Sequence, residues 1–330
     1  MRIGITCNIR TTTNTDPSLP HDFDAEFDSE TTIQAMESAI ASGGHTPVRI
    51  GDLQALTRFL VEGQSVDLVF NVAEGVRGRA RESQVPSVLD AYGIPYTMSD
   101  PLTLAISLDK ALTKRLWCEH NLPTPASWVI TPQTREVLDT VPDDFPLFVK
   151  PAYEGSSKGI NQESRVTDRA SLQMRVNWLL DKYQQPVLIE PFLPGREYTV
   201  GLLGNGSETC VLGIAEITAV RLFPVNGFDQ KEHMKDRPDV FVALPTTDPL
   251  YATIEKLALA AFKILGCYDV ARLDVRLDAD GNPQLLEINP IAGLNPTHSA
   301  LPAIARFAGM RYDELIQNIL DHAVRRYGLA

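Results

Sequence analysis

The sequence predicts an α/β protein: an open, mostly parallel sheet at the N-terminus, followed by two α+β units. Three observations carry this. Short apolar strands alternate with helix-period segments through the first hundred residues. Two apolar strands in the middle bracket a glycine-bearing loop and a helix. Near the C-terminus two alternating apolar runs flank Asp278-Ala279-Asp280-Gly281-Asn282-Pro283, an Asp-Gly hairpin signal. A chain of 330 residues exceeds one small core and implies two or three domains.

Ile3 to Thr6 forms the first strand, Pro47 to Ile50 a short second one and Asp67 to Asn71 a third. Ser29 caps a helix whose Ile33, Met36 and Ile40 recur at helical spacing, and Gly43-Gly44 ends it. Asn14 to Asp28 is a long, acidic, proline-bearing loop whose length suggests a function. Leu108 to His120 is a helix stopped by Pro123-Thr124-Pro125, and a second unit starts near Ala126. Its strands are Leu147 to Lys150 and Val187 to Glu190, with a helix around Leu172 to Leu180. A third unit opens with the strand Tyr198 to Leu203. It contains the hairpin and ends in an amphipathic helix, Tyr312 to Tyr327, with Leu315, Ile316, Ile319 and Leu320 as its apolar stripe.

Composition excludes several classes. A formal net charge of −12 argues against a nucleic-acid partner. No apolar run approaches a membrane span. Met1 to Thr6 reads as a strand rather than a signal peptide. Cys7, Cys118, Cys210 and Cys267 are scattered, without CxxC or zinc spacing, so reduced, buried thiols in a cytoplasmic protein are expected.

The hairpin carries the strongest chemistry. With a turn symmetric about Asp280 and Gly281, Asp274 lies opposite Glu287 and Arg272 opposite Asn289. Strand side chains alternate, so all four share one face, while Leu273, Val275, Leu286 and Ile288 share the other. Two carboxylates and an amide oxygen suit Mg²⁺, which takes few protein carboxylates and completes its shell with water and phosphate. The plain alternative is an exposed charged sheet face, disfavoured because opposed like charges destabilise a ladder.

Upstream, Lys150 closes an apolar strand, and Glu154-Gly155-Ser156-Ser157-Lys158-Gly159 follows. Such a loop lets backbone N–H groups approach anionic oxygens, though alone it is more often an ordinary turn. Glu190-Pro191-Phe192-Leu193 leaves the next strand with main-chain groups suited to a purine edge, and Glu197 can accept from ribose hydroxyls; an interdomain connector is the other reading. Lys231 sits in a polar, glycine-bearing run, 225–238, that is either a phosphate-reaching lid or a solvated loop.

In that order, Lys110, Lys150, the Glu154–Gly159 loop, Glu190, Glu197, Lys231, Arg272, Asp274, Glu287 and Asn289 resemble the ATP-grasp superfamily, and within it the D-alanine–D-alanine ligase branch. Supporting runs are Phe70-Asn71-Val72-Ala73-Glu74-Gly75, Gly93-Ile94-Pro95-Tyr96-Thr97, Leu108-Asp109-Lys110 and Leu286-Glu287-Ile288-Asn289. The resemblance implies an α+β ATP-grasp fold with domains 1–105, 106–190 and 191–330. It assigns Lys110, Lys150, Glu154, Ser156 and Ser157 to ATP phosphates, Glu190, Pro191, Phe192 and Leu193 to adenine, and Glu197 to ribose. Lys231 would reach the terminal phosphates. Asp274, Glu287 and Asn289 would hold two Mg²⁺ ions, with Mn²⁺ an alternative. It further implies that a carboxylate becomes an acyl phosphate, that an amine attacks it, and that Arg272, with Lys231 and Ser156, stabilises the reacting groups. The partners are small carboxylates and amines, and a homodimer is the usual expectation for such enzymes.

The departures concern substrate recognition. The family's substrate-binding glutamate has Glu30 as its only candidate here. The histidine usual in the Phe70–Gly75 run is Glu74. Glu232 follows the lid lysine where an aromatic residue or histidine is usual. The last loop, with Gly293, Asn295, His298 and Ser299, is one residue longer. A ligase for a different carboxylate or amine is the expected function; mycosporine-type amino-acid ligases resemble this branch. The alternatives are an authentic D-alanine–D-alanine ligase and an ATP-binding regulatory protein without turnover. A dinucleotide dehydrogenase is a further reading of the N-terminal rhythm, disfavoured because no GxGxxG follows the first strand.

Overall fold

The computed structural model describes residues 1–10, 20–218 and 240–329. Strands β1 (Arg2–Cys7), β2 (Thr46–Gly51) and β3 (Leu68–Val72) form a parallel sheet in the order β2-β1-β3. Helix α1 (Glu30–Ser42) is capped by Ser29, whose side chain accepts the Thr32 N–H. It ends at Gly43, before Gly44 in a left-handed conformation. Helices α2 (Leu53–Val61) and α3 (Gln84–Tyr92) complete this region.

The helix expected over 108–120 is present as one helix, and a separate short helix precedes it. Helix α4 (Pro101–Leu108) ends and α5 (Lys110–Glu119) begins at Asp109, which is extended (φ −84°, ψ 94°). The Asp109 carboxylate accepts the Ala111 and Leu112 N–H groups, so a local cap starts α5 and separates it from α4.

The middle of the chain forms an antiparallel sheet, β4-β7-β5-β6, from β4 (Trp128–Ile130), β5 (Leu147–Pro151), β6 (Arg165–Val166) and β7 (Val187–Pro191). Helix α6 (Arg169–Tyr183) covers it through Leu172, Val176, Leu179 and Leu180. The remainder builds a second antiparallel sheet, β10-β9-β8-β11-β12, from β8 (Glu197–Leu203), β9 (Cys210–Ile217), β10 (Phe241–Ala243), β11 (Val270–Leu277) and β12 (Pro283–Asn289). Helix α7 (Pro249–Leu265) packs on one face, and α8 (Ala300–Phe307) on the other. Helix α9 (Tyr312–Arg326) returns to α1, and its expected stripe is fully buried in a core shared with β1 and β3.

The hairpin turn is not symmetric. Asp278 N–H bonds to the Asn282 carbonyl, and Val275 pairs with Leu285. A bulge then restores the pairing of Asp274 with Glu287. One extra residue flips the alternation. Leu285, not Leu286, therefore joins Leu273, Val275 and Ile288 in the core, and Leu286 faces a cleft with Glu287.

Only Cys7 and Cys267 are buried; Cys118 and Cys210 are exposed, contrary to expectation, because both lie on outward positions of otherwise packed elements. Among the described residues, no helix is long and apolar enough to cross a membrane.

Candidate active site

The bulged hairpin presents its polar face as expected. Arg272 pairs in register with Asn289, and Asp274 with Glu287. The Arg272 guanidinium donates to both Asp274 oxygens, at 3.2 and 3.0 Å, and lies 3.5 Å from Glu287 Oε1. Burial alone would lower the Arg272 pKa, but Asp274 and Glu287 outweigh it and hold the cation. From the first turn of α5, Lys110 Nζ reaches Glu287 Oε2 at 3.3 Å and donates to the Glu154 carbonyl at 2.5 Å. Asn289 Nδ2 approaches Glu287 Oε1 at 3.5 Å, which leaves its amide oxygen free of that contact. Two carboxylates and one amide, balanced by two cations, fit a hard divalent ion that shares its shell with phosphate oxygens.

Beside this face, a cleft of about 100 Å³ lies between the two antiparallel sheets. Lys110, Lys150, Glu154, Ser157, Glu190, Pro191, Phe192, Leu193, Glu197 and Glu287 all line it. The Glu190 side chain has a role the sequence did not show. It bridges Lys150 (2.7 Å) and Lys114 (2.5 Å) in the interior. Burial alone would raise the Glu190 pKa, yet the two lysines bring it below the ordinary carboxylate range. Lys114 was overlooked, although it lies one turn beyond Lys110 on the same face of α5. Arg276, also overlooked, holds Glu197 at 3.2 Å.

The loop between β5 and β6 carries two consecutive serines in left-handed conformations, Ser156 at φ 47° and Ser157 at φ 61°. Non-glycine residues rarely adopt that geometry, and such strain concentrates at functional turns. Ser157 lines the small cleft, and Ser156 a second, larger cavity. The described part of the acidic N-terminal loop clamps this turn. Glu26 accepts the Gly155 N–H at 2.6 Å and pairs with Arg81 (2.8 Å) and Lys158 (3.0 Å), while Lys158 also pairs with Glu154. Asp22 accepts the Gly159 N–H at 2.7 Å and the Tyr183 hydroxyl. Burial alone would raise the Glu26 pKa; Arg81, Lys158 and the Gly155 amide instead bring it to about 2. No motif marks Asp22, Glu26 or Arg81; for the first two the length and acidity of 14–28 are the only signal, while Lys158 belongs to the quoted 154–159 loop.

The larger cavity, about 350 Å³, lies where the N-terminal region meets the C-terminal sheet. Glu74, Gly293, Asn295, His298 and Ser299 line it, together with Ser156, Arg272, Asp274 and Asn289. Asn295 shapes its last loop by accepting the Thr297 N–H and donating to Thr32 Oγ1 at 2.9 Å. Glu30 is not among the lining residues. It is exposed at the start of α1 and paired with Arg49 at 2.7 Å, because the helical turn after Ser29 points it outward. Asp28 and Glu82, unmarked in the sequence, line the cavity instead. Burial raises both to about 7. Burial first, then the charges of Glu82 and Glu26, push Glu74 well above its ordinary value. Glu197 and Asp274 line both spaces, so the two cavities meet there. Lys231 and Glu232 lie outside the described residues.

The chain resembles known proteins along its length. A family model described as the D-ala D-ala ligase C-terminus matches residues 124–321. An uncharacterized protein of Sinorhizobium fredii, y4sG, is 33% identical over 99% of this chain and 98% of its own. A D-alanine–D-alanine ligase of Bordetella petrii is 36% identical over 78% of this chain and 76% of its own. The solved D-alanine–D-alanine ligase of Bacillus anthracis, complexed with ATP, superposes with a TM-score of 0.73 at 23% identity, covering 100% of this chain and 99% of that one. With this agreement of family model, relatives and fold, the chain belongs to the D-alanine–D-alanine ligase family of the ATP-grasp superfamily.

Proposed function

We propose that this protein is an ATP-dependent ligase that joins a carboxylate to an amine, acts in the cytoplasm, and uses substrates other than two D-alanines. One observation carries the reading: a phosphate-ready cleft and a larger polar cavity meet at Asp274 and Glu197, beside the Arg272 guanidinium. Chemistry that starts on a phosphate and ends on a carbonyl needs such a junction.

In this reading Lys110 and Lys150 balance phosphate charge, and the Ser156-Ser157 turn orders the backbone around it. Phe148, Phe192 and Leu286 give the cleft its apolar walls. Asp274, Glu287 and Asn289 would hold Mg²⁺, which when bound neutralises charge on transferred phosphoryl oxygens. Arg272 stays charged and stabilises negative charge on a carbonyl oxygen as an amine adds, where such a donor is most effective. Ser156, on the cavity side, orients the carboxylate.

Incubation with Mg-ATP and mixed amino acids, followed by mass spectrometry, tests this. ADP and a coupled product are expected. Glu287→Gln should abolish ADP release, and Arg272→Ala should depress coupling by 100-fold or more with ATP binding retained. Near-normal turnover by Glu287→Gln would overturn the metal assignment. The identity with Bordetella petrii D-alanine–D-alanine ligase supports a second reading, authentic D-alanine ligation, for which D-alanyl-D-alanine would be the main product.

A further inference from the structure

The larger cavity has one wall of carboxylates that, among the described residues, no hydrogen bond or ion pair meets. Glu26 is met by Arg81 and Lys158, and Asp274 by Arg272. Among the described residues, no hydrogen bond or ion pair reaches the side chains of Asp28, Glu74 or Glu82. Glu82 is only 8% exposed, and it lines the cavity. Of the described cations that act on it, Arg81 is already engaged by Glu26 and by the Tyr153 carbonyl at 2.7 Å, and Lys110 by Glu287 and the Glu154 carbonyl. A second polar group points the same way: Thr199 is fully buried, lines the cavity, and its hydroxyl has no hydrogen-bond partner among the described residues.

Carboxylates left unpaired in a cavity wall, with Glu82 buried, are costly, and proteins keep them where a ligand supplies the countercharge. An amino-acid substrate brings one α-ammonium, which one carboxylate can receive. Two carboxylates then remain. Among the described residues, no three acidic, histidine or cysteine side chains converge closely enough to hold a metal ion. An organic cation is the remaining source of countercharge.

We propose that Glu74 and Glu82 select a substrate bearing a second cationic group, a basic amino acid of the lysine, ornithine or arginine class. This rests on the ligase reading and specifies its substrate. Glu74 and Glu82 act as specificity residues: the cation enters, and its charge offsets the mutual repulsion of the two carboxylates. A neutral side chain of equal length would leave both unmet, which is how polar sites reject isosteres.

The test compares both enantiomers of lysine, ornithine and arginine with norleucine and alanine, by ADP release and by calorimetric titration in the presence of a non-hydrolysable ATP analogue. Basic substrates should show KM or Kd values at least tenfold below norleucine. Glu82→Gln and Glu74→Gln should erase that advantage and leave the KM for ATP unchanged. With the unaltered protein, n-butylammonium should compete with the basic substrate and n-butanol should not. Equal use of norleucine and lysine, or equal effects of both variants on the two, would overturn the charge selection while ligase turnover stands. If no amino acid releases ADP, the ligase reading fails, and the titrations still decide the charge preference: weaker or equal binding of lysine sinks it.

Discussion

Glu26 shows what a single side chain does here. It comes from a loop without motif or periodicity, yet it joins Arg81, Lys158 and the Gly155 amide in the interior. Its pKa, brought down to about 2, makes it a stability term with a defined sign. The ionised form is favoured by folding, so its contribution is complete above the ordinary glutamate pKa of about 4.5 and is lost as pH falls from there toward 2. Glu26→Gln should therefore destabilise the protein by about 3 kcal/mol at pH 7 in urea unfolding, and the difference should shrink steadily below pH 4.5. A penalty that stayed constant with pH would mean that Glu26 acts through packing alone.

At the scale of the element, the bulge in β12 decides which leucine is structural. Plain alternation around a symmetric turn assigns Leu286 to the core. The observed register assigns Leu285 to it, fully buried, and turns Leu286 to the cleft. The two neighbours should respond differently. Leu285→Ala should cost about 2–5 kcal/mol of stability, as buried leucine truncations do. Leu286→Ala should leave the melting temperature within about 2 °C and raise the KM for ATP several-fold, through the lost apolar wall. Measured unfolding free energies with the opposite ranking would place the bulge elsewhere. The helix break at Asp109 belongs to the same scale. The Asp109 cap starts α5 at Lys110, aiming that lysine at Glu287.

Across the whole molecule, the last helix ties distant parts together. Arg326 Nη2 donates to the Tyr96 and Met98 carbonyls at 2.8 and 3.0 Å and pairs with Asp269 at 2.8 Å. Asp269 is fully buried and also accepts from Asn205 and the Met98 N–H, so one acidic side chain links the start of β11, the β8–β9 turn and the N-terminal region. Arg326→Ala leaves that charge short of its countercharge and should destabilise by about 3 kcal/mol, measured by denaturant unfolding. A loss within 0.5 kcal/mol would show that Asn205 and the Met98 amide suffice.

The sequence by itself determined the chemistry that depends on local spacing: strand alternation put Arg272, Asp274, Glu287 and Asn289 on one face, and helical periodicity marked the buried stripe of α9. The order of lysines, the serine turn and the hairpin was enough to identify the family. Tertiary structure alone decided which charges meet: Glu190 between Lys114 and Lys150, Glu26 across more than a hundred residues to Gly155 and Lys158, and Asp28, Glu74 and Glu82 around one cavity. Residues far apart in the chain leave no periodic trace of their contact, because desolvation and Coulomb energy depend on distance in space, whereas pattern reading follows distance along the backbone.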